Sequence, residues 1–321
     1  MREVTASAPG KVNLVLRAGA PTADGYHTLA TVFEALDLRE TVTVRTTRTP
    51  GTTVETVAHL PGGGIDRTTT ELMWAVPSRS HLAVRAARAM QRLAAAGPWA
   101  STAAGLTIRV DKRVPVAGGM AGGSADAAAT LVACNELWEL GLGPGQLEQI
   151  GRALGADVPA CLAGGIALGT GRGDHMAPLE CPATRHHWVI ALAHEGLSTT
   201  DVFAEFDRAA QGTAVPAAPT DGELADLTGP ARLAGPRLVN DLTAAALSLR
   251  PELGGTLSTA RAAGALAAIV SGSGPTIAAL ASSADHAVEI AERLTAAPAV
   301  ARVLTTTGPA PGARVEHQDE R

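Results

Sequence analysis

The sequence predicts a mixed α/β protein, and three observations carry that expectation. Short runs rich in β-branched residues alternate with alanine- and leucine-rich helical runs along the chain. With 321 residues and 46% hydrophobic content the chain can bury a large core, and the usual domain size of about 100 to 200 residues points to two domains. A glycine-rich segment at 115–126 follows a strand-like run and leads into a helical one, an order that suits an anion-binding loop.

The elements follow in order. Val12 to Leu16, Thr41 to Arg45 and Thr53 to Ala58 read as strands. Pro61 to Thr70, rich in Gly and Thr, reads as an exposed loop, and the stretch on to Ser80 shows no clear period. Leu82 to Ala96 reads as a helix with Ala86, Met90, Leu93 and Ala94 on one face. Leu106 to Val110 is a strand that delivers the chain to the glycine loop, and Ala127 to Leu140 is the helix after it. Gln146 to Leu154 gives a second helix, and Gly155-Ala156-Asp157-Val158-Pro159 breaks the chain before a third, short one. Beyond Gly164 the pattern restarts, with strands at Ile166 to Gly169 and Trp188 to Ala193 and a helix from Thr200 to Ala210. Residues 212–220 read as a surface linker. Helices Leu242 to Leu249 and Leu257 to Ala263 precede strand Ala267 to Ser271, a Gly-Ser-Gly-Pro turn and strand Thr276 to Leu280. Helix Ala284 to Ala296 and strand Val300 to Thr305 follow, and Gly308 to Arg321 reads as a frayed tail.

Composition excludes several classes. A net charge of −5 gives no basic field for nucleic acid. Four tryptophans, three phenylalanines and one tyrosine are too few for a platform that stacks a long single strand. Cys134, Cys161 and Cys181 are widely spaced, without a Cys-x-x-Cys pair, and read as reduced thiols of a cytoplasmic protein. The start Met1-Arg2-Glu3 lacks the features of a signal peptide, and no apolar run reaches the ~18 residues of a membrane span.

The segment Pro115-Val116-Ala117-Gly118-Gly119-Met120-Ala121-Gly122-Gly123-Ser124-Ala125 carries the most chemistry. Without Cβ atoms at four positions, backbone N–H groups can approach an anion, and the following helix adds unpaired donors and its positive dipole end. A nucleoside triphosphate is the natural guest, although a tight turn can be built from the same residues. The segment is neither Gly-x-x-x-x-Gly-Lys-Ser/Thr nor a helix-opening Gly-x-Gly-x-x-Gly. A P-loop NTPase and a Rossmann dehydrogenase are thereby excluded.

Three further clusters each have a bland and a functional reading. In Ser7-Ala8-Pro9-Gly10-Lys11-Val12-Asn13 the lysine is either a solvated edge-strand residue or a cation that neutralises charge beside a phosphate loop. Asp24-Gly25-Tyr26-His27 is either a surface turn or a turn presenting a ring and an imidazole. Asp157 is either a helix cap or the general base that phosphoryl transfer to an alcohol requires.

Taken together, Ala8 to Asn13, Pro115 to Ala127 and Ser271-Gly272-Ser273-Gly274-Pro275-Thr276 resemble, in order, the three motifs of the GHMP kinases, a superfamily of small-molecule kinases. Within it the resemblance is to the branch acting on 4-diphosphocytidyl-2-C-methyl-D-erythritol (CDP-methylerythritol), and it runs from about Ala6 to Leu304. It rests on Ala23 to Leu29, Gly155 to Pro159, Gly169 to Asp174, Leu197 to Phe203 and Asn240-Asp241-Leu242.

The resemblance implies a two-lobed fold, with an N-terminal α/β domain like ribosomal protein S5 domain 2 over 1–168 and a ferredoxin-like C-terminal domain over 169–321. It implies ATP as co-substrate and phosphorylation of the 2-hydroxyl of CDP-methylerythritol in the non-mevalonate isoprenoid pathway. Asp157 would be the base, Lys11 its electrostatic partner and Asn13 a positioning group. Tyr26 and Phe203 would sandwich the cytosine ring while His27 bonds its edge. Mg²⁺ would arrive with ATP, Ser124 being the one candidate protein ligand. Two departures stand out: His81 occupies a position where relatives carry asparagine, and Glu71 to Ser80 is longer than usual. The alternatives are another GHMP small-alcohol kinase, of the homoserine or mevalonate type, and a non-enzymatic nucleotide-binding sensor on the same scaffold.

Overall fold

The computed structural model describes residues 2–23, 25–182, 184–209 and 215–320, with 318–320 as backbone alone. Asp24 and residues 212–214 of the expected linker lie outside the described residues. In chain order the strands are β1 (Arg2–Pro21), β2 (His27–Thr46), β3 (Gly51–Ala58), β4 (Gly105–Lys112), β5 (Ile166–Thr170) and β6 (His175–Pro178). They continue as β7 (His186–Ala193), β8 (Val239–Asn240), β9 (Ala267–Val270), β10 (Ile277–Ala281), β11 (Val300–Gly308) and β12 (Arg314–Glu320).

Two sheets result. The larger runs β12-β1-β2-β4-β3, with β5 and β6 continuing from β2 and β8 added to β1. The smaller runs β11-β7-β10-β9, all antiparallel. Strands β7, β9 and β10 read almost continuously apolar because both their faces are covered, whereas the edge strand β11 is half-exposed and carries Arg302 and a run of threonines. Side chains of β7 and β10 alternate accordingly. Val189, Ala191, Ile277 and Ala279 pack with helices Leu253–Ala262 and Ala284–Thr295, while Trp188, Ile190, Ala278 and Leu280 pack toward Val12, Leu14, Val32 and Leu36 of the larger sheet.

A buried polar pin joins the two sheets. Glu34 on β2 accepts from Trp188 Nε1 at 3.1 Å and lies 2.7 Å from His186 Nδ1, and His186 Nε2 lies 2.9 Å from the Gly229 carbonyl. Burial alone would lower the His186 pKa, but the Glu34 carboxylate and that carbonyl hold it above the ordinary histidine value.

Several elements differ from expectation for identifiable reasons. β1 runs straight through Pro9-Gly10, read from sequence as a turn, and absorbs them as a register shift between Pro9 and Lys11. The loop helix is Gly122–Leu137, five residues earlier than the alanine run suggested, so Gly122 to Ala125 form its first turn. Within the supposed loop at 61–70, Asp66 accepts from Thr69 N and starts the helix Arg67–Trp74. Leu93, expected on the buried face of helix Leu82–Ala95, is 44% exposed. The tail from 308 is not frayed: it ends in β12, which pairs with β1 from Arg2↔Glu320 to Ser7↔Arg314. The three cysteines are free, and burial raises the pKa of each thiol.

His81 explains one departure. Its Nδ1 accepts from Ala83 N at 3.3 Å and so caps helix Leu82–Ala95, the service an asparagine amide renders at such a position.

Candidate active site

Strand β1 supplies the first side chains. Lys11 and Asn13, two residues apart, point to one face of the strand, and Lys11 Nζ donates to Asn13 Oδ1 at 2.7 Å. Asn13 Nδ2 donates in turn to Thr31 Oγ1 at 2.8 Å, and Thr31 donates to the Val15 carbonyl at 2.6 Å. This buried chain holds the lysine in one orientation. Lys11 Nζ also stands 3.8 Å from Asp157 Oδ2, with side chains 6% and 37% exposed respectively. Asp157 occupies the N-cap position of the short helix Val158–Ala163, yet its carboxylate makes no capping hydrogen bond. The cap reading therefore fails, and the carboxylate faces a cation instead.

The glycine loop is seated on the third motif. Gly119 has φ +70°, and a Cβ there would run into the Ser271 carbonyl. A Cβ on Gly118 would lie 2.8 Å from Thr276 Oγ1, and one on Gly272 would lie 3.4 Å from Lys11 Nζ. Ser271 Oγ donates to the Gly119 carbonyl at 3.3 Å, and Lys11 N donates to the Met120 carbonyl at 3.1 Å. Residues 11, 119 and 272 thus meet, although more than 100 positions separate the first two. The Gly155 backbone comes close to Ser124, since a Cβ there would lie 3.9 Å from its Oγ. That contact brings the segment carrying Asp157 to the first turn of the loop helix.

Beside the loop lies a cavity of about 1210 Å³ between the two sheets, lined among others by His59, Leu72, Val116, Gly118, Glu195 and Thr305. Arg302 on β11 donates to Asp66 Oδ2 at 2.8 Å across it. Beneath the loop sits a charged cluster that no motif announced. Lys112 Nζ, fully buried, donates to Glu40 Oε1 at 2.7 Å and Asp126 Oδ2 at 2.8 Å, and Arg113 N donates to Glu40 Oε2 at 2.8 Å. One ammonium against two carboxylates leaves a surplus negative charge. Burial pushes the Glu40 carboxyl up to about 7 against the pull of Lys112. Burial would lower the Lys112 ammonium, but Asp126 and Glu40 hold it above the usual lysine range.

The aromatic group assembles at the turn between β1 and β2. His27 is buried and stacks on Phe203 with centroids 4.5 Å apart and planes at 30°. Tyr26 is 57% exposed, with the Arg172 guanidinium 4.0 Å over its ring. His27 and Phe203 therefore come together, whereas Tyr26, next to His27 in the chain, meets Arg172, and the pair Tyr26 and Phe203 does not form two open jaws. Phe203 rests on His27, and Arg172, from the turn between β5 and β6, covers Tyr26. Sequence reasoning missed Arg172, Glu40, Lys112 and Asp207. Arg172 lies within Gly169 to Asp174, the one signal that could have found it.

A strand-borne lysine paired with a carboxylate, a glycine loop at a helix start and a large cavity beside that loop define a small-molecule phosphotransferase site. The GHMP kinases N terminal domain family matches residues 81–165, and the GHMP kinases C terminal family matches 223–300. A 4-diphosphocytidyl-2-C-methyl-D-erythritol kinase of Thermobifida fusca is 48% identical over 315 residues, covering 97% of this chain and 98% of the relative. A crystal structure of 4-(cytidine 5'-diphospho)-2C-methyl-D-erythritol kinase superposes with TM-score 0.72 at 31% identity, covering 94% of this chain and 98% of that one. Homoserine kinase from Cytophaga hutchinsonii shares the fold at TM-score 0.69 and 20% identity, over 98% of this chain and 97% of that one. The chain belongs to the GHMP kinases and, within them, to the 4-diphosphocytidyl-2-C-methyl-D-erythritol kinase family.

Proposed function

We propose that this chain transfers the γ-phosphoryl group of ATP to the 2-hydroxyl of 4-diphosphocytidyl-2-C-methyl-D-erythritol, a step of the non-mevalonate isoprenoid pathway. The observation that carries the reading is the uncapped Asp157 carboxylate held against Lys11 beside the glycine loop. Asp157 takes the acceptor proton, and Lys11 offsets charge that develops on the oxygen and the transferred group. Asn13, fixed by Thr31, keeps Lys11 in place and positions the hydroxyl.

Pro115 to Ala125 bind the triphosphate through backbone N–H groups and the helix start. Among the described residues no group of three or more His, Cys, Asp or Glu side chains could hold a metal ion. We take Mg²⁺ to come with ATP, neutralising phosphate charge, with Ser124 at the helix start as its candidate protein ligand. No helix among the described residues is long and apolar enough to cross a membrane. From the three free thiols we assign the protein to the cytoplasm. We keep the division into lobes at 1–168 and 169–321 as part of the same proposal.

Tyr26, His27 and Phe203 hold the cytosine. A base bonded edge to edge with His27 continues the imidazole plane and so lies within about 30° of parallel to Phe203. Its stack on Tyr26 displaces Arg172, an exposed cation–π contact worth about 0.5–1 kcal/mol against about 1–3 for a base–aromatic stack. The exchange favours the base. Calorimetry with cytidine diphosphate tests this reading: binding that is lost in Tyr26→Ala supports it, and indifference to the nucleotide removes it.

A further inference from the structure

Helix Thr199–Ala209 meets His27 with three side chains on one face. Phe203 stacks on the imidazole, Phe206 approaches edge-on with centroids 6.2 Å apart, and Asp207 Oδ1 lies 2.7 Å from Nε2. The spacing i, i+3, i+4 puts the three over one another on the helix surface. The His27 side chain is only 7% exposed, so the ring has little freedom to turn away.

A carboxylate accepts hydrogen bonds and donates none, so the proton in the short contact belongs to Nε2. In a neutral imidazole the other nitrogen is then bare. The hydrogen bond the described residues give the ring is at Nε2, and Nδ1 is left for a ligand. We propose that Asp207 is a positioning residue that fixes the Nε2–H tautomer of His27, leaving Nδ1 as an acceptor that selects cytosine over uracil. Cytosine carries an exocyclic amine, a donor, where uracil carries a carbonyl, an acceptor. Against Nδ1 the first forms a hydrogen bond, and the second sets two lone pairs face to face. A site built to bond one polar group discriminates strongly against an analogue that leaves it unpaired. This inference rests on the reading that a cytidylyl substrate binds against His27.

The test has two arms. Nitrogen-15 NMR of the neutral form of His27 in the wild-type chain should show a protonated Nε2 and a bare Nδ1; a bare Nε2 overturns the inference. The second arm compares kcat/KM for the cytidylyl substrate and for its uridylyl analogue in wild type, Asp207→Asn and Asp207→Glu. Asn can present oxygen or nitrogen to Nε2 and no longer dictates the tautomer. Cytidylyl over uridylyl preference should fall at least about tenfold in Asp207→Asn, the equivalent of one modest hydrogen bond, with KM for ATP unaltered. Asp207→Glu should restore most of it. A preference unchanged in Asp207→Asn, or a loss of Tm with no change in the ratio, assigns Asp207 a structural role only. If wild type turns over neither cytidylyl nor uridylyl substrate, the proposed function itself falls, and the nitrogen-15 arm alone decides the role of Asp207.

Discussion

Lys11 and Asp157 face each other at 3.8 Å, far enough apart that neither is consumed by the other. A tight pair would hold both charges in a closed hydrogen bond. Here Lys11 gives its short bond, 2.7 Å, to Asn13, and Asp157 keeps 37% of its side chain exposed. Asp157→Asn should therefore leave the fold and ATP binding intact while lowering kcat by about 10²- to 10⁴-fold, the usual cost of removing a general base. Lys11→Ala should lower kcat more than it raises KM, because its charge matters most when the oxygen is being phosphorylated. Steady-state kinetics on both variants check this, and turnover within a factor of a few of wild type in Asp157→Asn would contradict it.

The two glycines of the loop should differ sharply. At Gly119 an added methyl meets a left-handed backbone and the Ser271 carbonyl, neither of which can give way cheaply, whereas at Gly122 it meets Glu40 Oε1 at 3.1 Å. Gly119→Ala should unseat the loop from the Ser271–Thr276 turn and weaken ATP by more than about tenfold, whereas Gly122→Ala should cost less. Titration with a fluorescent ATP analogue gives the order, and equal affinities would contradict the packing described.

Tyr26 should behave as a binding residue. It is 57% exposed, so Tyr26→Ala should leave Tm nearly unchanged while weakening the cytidylyl substrate by about 1–3 kcal/mol. Phe203→Leu should weaken the same ligand and also cost some stability, since Phe203 packs on His27 and near Val202 and Leu242. Substrate Kd and Tm on the two variants separate these outcomes; an unaltered Kd in Tyr26→Ala would count against the cytosine assignment.

Glu40 predicts a pH dependence. Its carboxyl titrates near 7 in the fold against an ordinary value of 4.5, so the folded chain binds that proton more tightly than the unfolded chain. The stability it contributes is complete below the unfolded value and is lost as pH rises through about 7. Glu40→Gln should flatten that part of the curve, so that the wild-type decline between about pH 5 and 7.5 exceeds the variant's by roughly 2 kcal/mol. Urea unfolding at the two pH values measures it, and parallel curves would contradict it. Lys112→Met, which leaves Glu40 and Asp126 without their cation, should cost about 3–5 kcal/mol at neutral pH.

Local pattern made the strand–loop–helix order legible, and three short motifs in sequence order made the site legible. What local pattern could not carry was long-range pairing. β12 has no apolar alternation of its own and exists because β1 offers it an edge some 300 residues away in the chain. Pro9-Gly10 looked like a turn because the two residues break strands locally; the structure uses them as a bulge where Gly10 lies against Val114 and the Met120 carbonyl. Glu40 and Lys112 are 72 positions apart, and nothing near either one signals a buried cluster. Asp207 was within reach, since it sits four residues after Phe203 on an amphipathic helix, but one acidic residue on a helix surface ordinarily means only solvent.

The assignment is tested most directly by a coupled ADP-release assay that offers ATP with 4-diphosphocytidyl-2-C-methyl-D-erythritol, homoserine or mevalonate as acceptor. Efficient turnover should occur with the cytidylyl substrate alone, because only that substrate presents a base to Tyr26, His27 and Phe203. Comparable turnover of homoserine or mevalonate, or ADP release that ignores the cytidylyl substrate, would contradict it.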